Sequence, residues 1–427
     1  MNSIFFGLVA IAFAVSGWHQ LTGTGAGMDA LSKAMVDAAG SSVQLAISLI
    51  GVMSLFLGLM KVAEEGGMLR IIARLIRPLM VRLFPEVPPE HPAMGAMILN
   101  IAANVLGLGN AATPFGIRAM QELDRLNPMP GTATDAMVLF LAINTSSVTL
   151  LPTGVIALRA AAGSHNPAGI LPTTLFATIC STLVAVAAAK FYRRFFPLGA
   201  AGKEPPEGGA EAAAAEPGPA DLSAADAGGY PPWVSALALL GLVALVPLTI
   251  FYGRAMAPWV IPGLMVGFLA FGVARKVRVY EVFVEGAKEG FQVAVKIIPY
   301  LVAILVAVAM FRGSGTLAAV VGPLGHWTAK VGLPAEALPM ALLRPLSGSG
   351  AYGFLASLLK NPSIGPDSYT GYLVSTLQGS TETTFYVLAV YFGAVQVRRI
   401  RHALAAGLTA DLAGVIAAVA ICSYLYR

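Results

Sequence analysis

Between Ala403 and Tyr424 the chain carries one formal charge, Asp411, among residues dominated by Ala, Val, Leu, Ile and Gly. An apolar run of this length falls in the ~17 to 25 residues that a helix needs to cross the hydrocarbon layer of a bilayer. It admits few folds, because every backbone amide in lipid must be satisfied within the helix or a closed barrel. Comparable runs lie at Ile4–Trp18 (slightly short), Val43–Met60, Leu171–Ala189, Trp233–Tyr252, Trp259–Val273 and Ile297–Phe311. With 57% apolar and 11% charged residues in 427, the chain is too apolar for a soluble domain. The reading is an all-α polytopic membrane protein.

The first run has no basic residue before it and no clear small-residue cleavage site after it, so it reads as a retained helix, not a signal peptide. Cys180 and Cys422 sit in apolar runs without metal-ligand spacing, and the five histidines are scattered. No metal site and no resident cofactor are expected. The net charge of +5 is explained by sidedness and not by affinity for nucleic acid. With the N-terminus cytoplasmic and re-entrant hairpins at Pro88–Leu126 and Pro334–Lys360, about four crossings precede the middle of the chain and about five follow it. Arg70, Arg74, Arg77, Arg118, Lys190, Arg193, Arg275, Lys288, Arg398 and Arg401 then fall inside, while Arg159, Arg312 and Lys360 are among the few outside. The C-terminus is expected outside, in a bacterial cytoplasmic (inner) membrane.

Residues 198–232, rich in Ala, Pro, Gly and acidic side chains, read as a disordered cytoplasmic linker between membrane halves 1–197 and 233–427. The halves match in pattern. An offset of 248 pairs Gln44 with Gln292 and Gly67 with Gly315; an offset of 234 pairs Ser146 with Ser380 and Thr149 with Thr383. Each half has a spanning helix, an interfacial helix, a re-entrant hairpin, an unwound helix and a closing helix. The odd crossing count between the two starts predicts inverted repeats. In "GGMLRIIARLIRPLMVRLF", arginines recur on one helical face and aliphatic residues on another, as expected for a helix in the interface plane.

Two polar clusters interrupt the apolar pattern at the hairpin turns, "NIAANVLGLGNAATPFGIR" and "RPLSGSGAYG". Gly and Pro open the backbone at a depth that only a protein-lined, partly wet cavity tolerates. "NTSS", Asn144 to Ser147, and "GSTET", Gly379 to Thr383, occupy matching positions midway along matching helices and read as unwound spans. A carboxylate at that depth costs ~2.5 to 3.5 kcal/mol on insertion scales, so Glu382 is expected to face a cavity or to pair with Arg344. Lys296 and Asp411 lie nearer helix ends, where they can snorkel or stay solvated.

These residues carry a family resemblance. "NVLGLGNAATPFGIRAMQEL" with "FLAINTSSVTLLP" resembles spore maturation protein A, and "RPLSGSGAYG" with "LVSTLQGSTETTFYVLAVYFGAV" resembles spore maturation protein B, here in one chain. Each half is also similar to the Gate, or nucleoside-recognition, domain of concentrative nucleoside transporters and ferrous iron transporters. For the nucleoside transporters, that resemblance implies two hairpins and two unwound helices that bind solute and coupling ion and move as an elevator. The tips here lack the Gln-Thr-Glu of that family.

The expected function is secondary transport of a small polar solute, with anions among the candidates and room for a coupling proton or sodium ion. Solute contact is assigned to Asn104, Asn110, Thr113, Arg344, Ser347, Ser349 and Ser380, and ion coupling to Asn144, Ser147, Glu382 and Thr383. The partners are the lipid bilayer and the solute; a homo-oligomer is left open. The competing readings are a channel or lipid-handling protein of the same fold, and a non-transporting scaffold. An enzyme is not expected, since no nucleophile with a positioned base is apparent.

Overall fold

A computed structural model describes residues 2–25, 27–197, 229–316, 319, 325 and 327–427. Among them the chain is helical. The first half runs through α1 (Asn2–Thr22), α2 (Met28–Glu65), α3 (Met68–Leu83), α4 (Pro92–Leu106), α5 (Gly109–Arg125), α6 (Asp135–Thr145), α7 (Thr153–Ala161), a 3-10 turn (Pro167–Ile170) and α8 (Leu171–Tyr192). The second comprises α9 (Pro232–Ala274), α10 (Val279–Gly313), α11 (Leu338–Leu346), α12 (Gly348–Leu359), α13 (Tyr369–Ser380), α14 (Thr384–Gly393) and α15 (Ala403–Tyr426). Helices over Phe5–Thr22, Met28–Glu65, Pro167–Tyr192 and Ala403–Tyr426 are long and apolar enough to cross a bilayer, and the chain is a membrane protein.

Local chemistry sets the element boundaries. Gly67, at φ 83°, turns the chain between α2 and α3. Thr134 caps α6 by accepting from Met137 N–H at 3.2 Å, and Ser368 caps α13 by accepting from Gly371 N–H at 3.0 Å. The two caps stand at the same sequence offset as the paired Ser146 and Ser380. Pro92 opens α4 behind His91, whose Nδ1 accepts from Ala93 N–H at 3.2 Å.

The helices α2 and α10 pack antiparallel along their lengths. A Cβ on Gly286 would lie 2.5 Å from Lys61 Cβ, and one on Gly290 would lie 2.6 Å from Ser54 Cα, so these positions, one turn apart, let the backbones meet. A second antiparallel pair joins α8 to α15, where Ser181 Oγ donates to Ala410 O at 2.8 Å.

Two apolar cores result, and each draws on both halves of the sequence. One gathers α3 to α6 with α14 and the start of α15. The other gathers the middle of α2, α7 and the 3-10 turn with α10 to α13 and the end of α15. The halves therefore interlock, and the polar helix breaks fall where the two cores meet.

One expectation is corrected here. Trp233–Tyr252 and Trp259–Val273 are not separate spans, since α9 runs unbroken for 43 residues. The intervening residues include Gly253 and Pro258, both poor in a helix interior, but Ala255, Met256 and Ala257 between them favour helix and the helix continues through. Residues 198–228, most of the expected linker, lie outside the described residues; at its end Tyr230 N–H donates to Arg74 O on α3 at 3.3 Å. The second half's counterpart of α3 falls mostly at 317–326, largely outside the described residues.

Candidate functional site

The helix formed by α6 stops because its own hydroxyls compete for its carbonyls. Thr145 and Ser146 donate to Ala142 O, both at 2.9 Å, and Ser147 donates to Ile143 O at 3.1 Å. Helix resumes only at Thr153, after Pro152. In the second half α13 ends at Ser380, Thr381 and Thr383 are extended, and α14 begins at Thr384. Both unwound spans expected from "NTSS" and "GSTET" are present. They touch: Glu382 N–H donates to Thr145 O at 2.8 Å, tying one break to the other.

Carbonyls released by a break need donors, and Arg344 of α11 supplies them. Its Nε donates to Gln378 O at 3.0 Å, its Nη1 to Thr383 Oγ1 at 2.9 Å and its Nη2 to Thr381 O. The Glu382 carboxylate lies 3.6 Å from Nη2, but that side chain is 54% exposed against 8% for Arg344. Arg344 is thus first a clamp on the unwound backbone and second an ion-pair partner. Glu382 does both things expected of it, since it also lines a cavity of about 250 Å³.

That cavity is bounded by both hairpin turns and both breaks. Asn104 and Gly107 come from the first hairpin, Thr149 from the first break, Gly348 from the second hairpin, and Glu382 and Thr383 from the second break. Gly107 is required twice over: its φ is +78°, and a Cβ there would lie 2.4 Å from Leu151 O. The first break is held to this turn by Leu150 N–H donating to Val105 O at 2.9 Å. Behind it runs a buried amide chain. Asn104 Nδ2 donates to Asn144 Oδ1 at 3.0 Å, Tyr391 OH donates to the same oxygen at 3.3 Å, and Asn144 Nδ2 donates to Phe140 O at 3.0 Å. Asn100 Nδ2 donates to Tyr391 OH at 3.2 Å and to Ala112 O at 2.7 Å.

Of the residues singled out from sequence, Asn104, Arg344, Glu382 and Thr383 line the cavity. Asn144 lies directly behind Asn104. The hydroxyls of Ser147 and Ser380 are buried against carbonyls of their own helices, Ser380 donating to Leu377 O at 3.0 Å. Ser347 Oγ caps α12, accepting from Gly350 N–H at 3.0 Å. Thr113 is half-buried on α5 and Ser349 is exposed on α12, both off the cavity wall. The side chain of Asn110, like that of Lys296, lies outside the described residues.

Sequence reasoning missed Thr149 and Gln378 on the wall, although the offset of 234 pairs Thr149 with Thr383 and Asn144 with Gln378. Tyr352, on the wall with its OH donating to Gly154 O at 2.7 Å, and Tyr391 carried no such signal.

One charge is placed differently than expected, and a second is more enclosed than a charge in an apolar stretch suggests. Asp411 is neither solvated nor snorkelling: it is buried, accepting from Thr384 Oγ1 at 2.6 Å, because α15 is enclosed by α8, α13 and α14 at that level. Arg159, read on the outer side, is wholly buried. It donates to Pro167 O at 3.3 Å, Pro366 O at 2.6 Å and Asp367 Oδ1 at 3.0 Å, and lies 4.2 Å from the centre of the Tyr372 ring. Backbone carbonyls and one carboxylate take the place of solvent.

The sequence model described as Gate, nucleoside recognition, matches residues 46–162 and 294–398, which contain both hairpins and both breaks. Spore maturation protein B of Bacillus subtilis (strain 168) is 48% identical over 166 residues, covering 39% of this chain and 92% of that protein. Spore maturation protein A of the same organism is 43% identical over 166 residues, covering 38% of this chain and 85% of that protein.

Proposed function

We propose, for a chain that belongs to the Gate (nucleoside recognition) family, a secondary active transporter moving a small polar solute, cation-coupled and working as an elevator. The observation that carries this reading is the cavity bounded by two hairpin turns and two helix breaks, with a guanidinium and a carboxylate on its wall. Unwound backbone within membrane helices is tolerated where it lines such a cavity, and transporters place solute and ion sites there. Paired caps at Thr134 and Ser368, paired breaks and paired hairpins support two inverted repeats, with the hairpins re-entrant and α3 in the interface plane. The sidedness of the basic residues supports an inner-membrane protein with N-terminus inside and C-terminus outside.

A volume of about 250 Å³ lies below the ~300–1,000 Å³ of pockets for drug-sized ligands, which favours a small solute. The planar fork of Arg344 favours carboxylate or phosphate. The family description puts nucleosides on the test panel as well. Asn104, Arg344 and Thr383 contact the solute in this reading; Glu382 carries coupling charge.

The test is uptake into liposomes containing the full chain, with labelled small carboxylates, phosphate esters and nucleosides supplied under imposed proton or sodium gradients. Saturable uptake of one class that follows a gradient is expected, with at least a tenfold loss in Arg344→Gln. Flux without saturation, movement of labelled lipid between leaflets, or no flux from folded protein would each overturn the reading in favour of a channel, a lipid-handling protein or a scaffold.

A further inference from the structure

Asp411 has no role in the cavity just described, yet it is the most enclosed carboxylate near it. The residue is 5% exposed in α15. Its Oδ2 accepts from Thr384 Oγ1 at 2.6 Å, while its Oδ1 is buried without a hydrogen-bond partner. A carboxylate oxygen so placed calls for a donor, because an ionised carboxylate away from water needs its lone pairs satisfied.

The surroundings connect this oxygen to the second break. Thr384 is the first residue of α14 after the unwound span. A Cβ on Gly414, one turn along α15 from Asp411, would lie 2.7 Å from Thr381 Cγ2, so α15 presses directly on that span. The elements packed around α15 are α6, α8, α11, α13 and α14. Among the described residues they offer Asp411 one hydrogen bond, from the Thr384 hydroxyl, and the charge of Arg344, which also clamps the break at Thr381. A metal cation takes six or more oxygens when hard and divalent, and this set offers fewer. A proton needs one free oxygen.

We propose that Asp411 is a proton-binding site behind the second helix break, separate from the solute cavity and linked to it through Arg344. The step is loss or gain of one proton at Oδ1, the carboxylic acid giving the carboxylate. The ionised form draws on the positive charge of Arg344. An anion taken by Arg344 from the cavity uses the same charge, so it favours the protonated acid. Proton uptake and anion binding therefore go together, by the reciprocity of linked equilibria. This linkage rests on the transporter reading; the proton site does not.

Infrared difference spectra of the full chain in liposomes, titrated with pH, test the site by the carbonyl stretch of a protonated carboxyl group. The wild type should show a band that Asp411→Asn lacks, since the amide keeps an acceptor for Thr384 but has no proton to lose. Thr384→Val should move the band's midpoint upward by about one to two pH units, because the lost hydroxyl stabilised the ionised form. Replacing potassium with sodium at constant ionic strength should leave the midpoint in place. A band retained in Asp411→Asn, no upward shift in Thr384→Val, or a midpoint that follows sodium would overturn the proposal. If Asp411→Asn does not fold, Thr384→Val decides alone. Absent transport with an intact titration would overturn the transporter reading and leave the proton site standing.

Discussion

Arg344 and Glu382 face each other at 3.6 Å, yet their substitutions should differ sharply. A lysine at position 344 keeps the charge but not the fork that spans Gln378 O, Thr381 O and Thr383 Oγ1. Arg344→Lys should cost roughly 2–4 kcal/mol, read as a fall in thermal stability in detergent. Glu382→Gln should cost less than about 1 kcal/mol, since its carboxylate is half exposed, while removing the dependence of uptake on the ion gradient. Equal destabilisation by the two would contradict the clamp. Asp367→Ala should cost about 2–3 kcal/mol by leaving Arg159 short of its counter-charge. That is below the ~3–5 kcal/mol of a fully buried pair because Asp367 is 30% exposed. At the entry to α15, burial first and the Arg401 guanidinium second hold the His402 imidazole below its ordinary value of 6.5. A folded state that resists protonation is stable above that value and loses stability as pH falls below it. His402→Gln should flatten the decline of melting temperature on acidification from about pH 6.5; an unchanged slope would remove His402 as its cause.

At the scale of elements, the α2–α10 pair depends on backbone approach. Gly286→Leu must drive its side chain into Leu57 O and Gly58, so a loss of about 1–3 kcal/mol is expected. Gly263→Ala on α9, where a Cβ meets nothing within 4 Å, is the control and should change stability by less than ~0.5 kcal/mol. Thermal unfolding of both variants checks the contrast. The helix breaks follow a different rule. The first arises locally from Thr145, Ser146 and Ser147 hydroxyls bonding back to carbonyls and the second from Ser380, but each persists because other elements pair the freed groups: Val105 O of the first hairpin accepts from Leu150 N–H, Glu382 N–H donates to Thr145 O, and Arg344 donates to the second break.

For the whole molecule, the interlocked cores constrain motion. The first hairpin shares a core with α14 and is bonded to the first break, the second hairpin is clamped to the second break by Arg344, and the two breaks are bonded to each other. Hairpins and breaks should therefore move as one body, sliding on the face that α2 and α10 give to the second core. Spin labels at Gln121 and Ser349 should keep their mutual distance while both change distance to Val36 on α2 when the solute or pH is varied. A changing Gln121–Ser349 distance against a still frame would replace the elevator with local gating.

Much of this was legible in the residues themselves. Apolar run length marks a membrane protein, because lipid leaves a backbone few ways to satisfy its amides. The hydroxyl runs "NTSS" and "GSTET" mark the breaks, because Ser and Thr compete locally for helix carbonyls. Gly107 and the Thr134 and Ser368 caps are equally local devices, written in one or a few adjacent residues. The tertiary structure alone decided what those breaks touch. Nothing in the order of residues places Arg344 on the carbonyls of Gln378 and Thr381, Tyr391 on Asn144, or Asp411 under Thr384. Nor does it reveal that Arg159 is buried among carbonyls beside Asp367, or that each core is assembled from both halves of the chain. Those partners lie tens to hundreds of residues apart, and their burial depends on which helix faces are covered. Hydropathy averages over a window and is blind to face, so a charge inside an apolar run reads alike whether it meets lipid, water or a hydrogen-bonding partner.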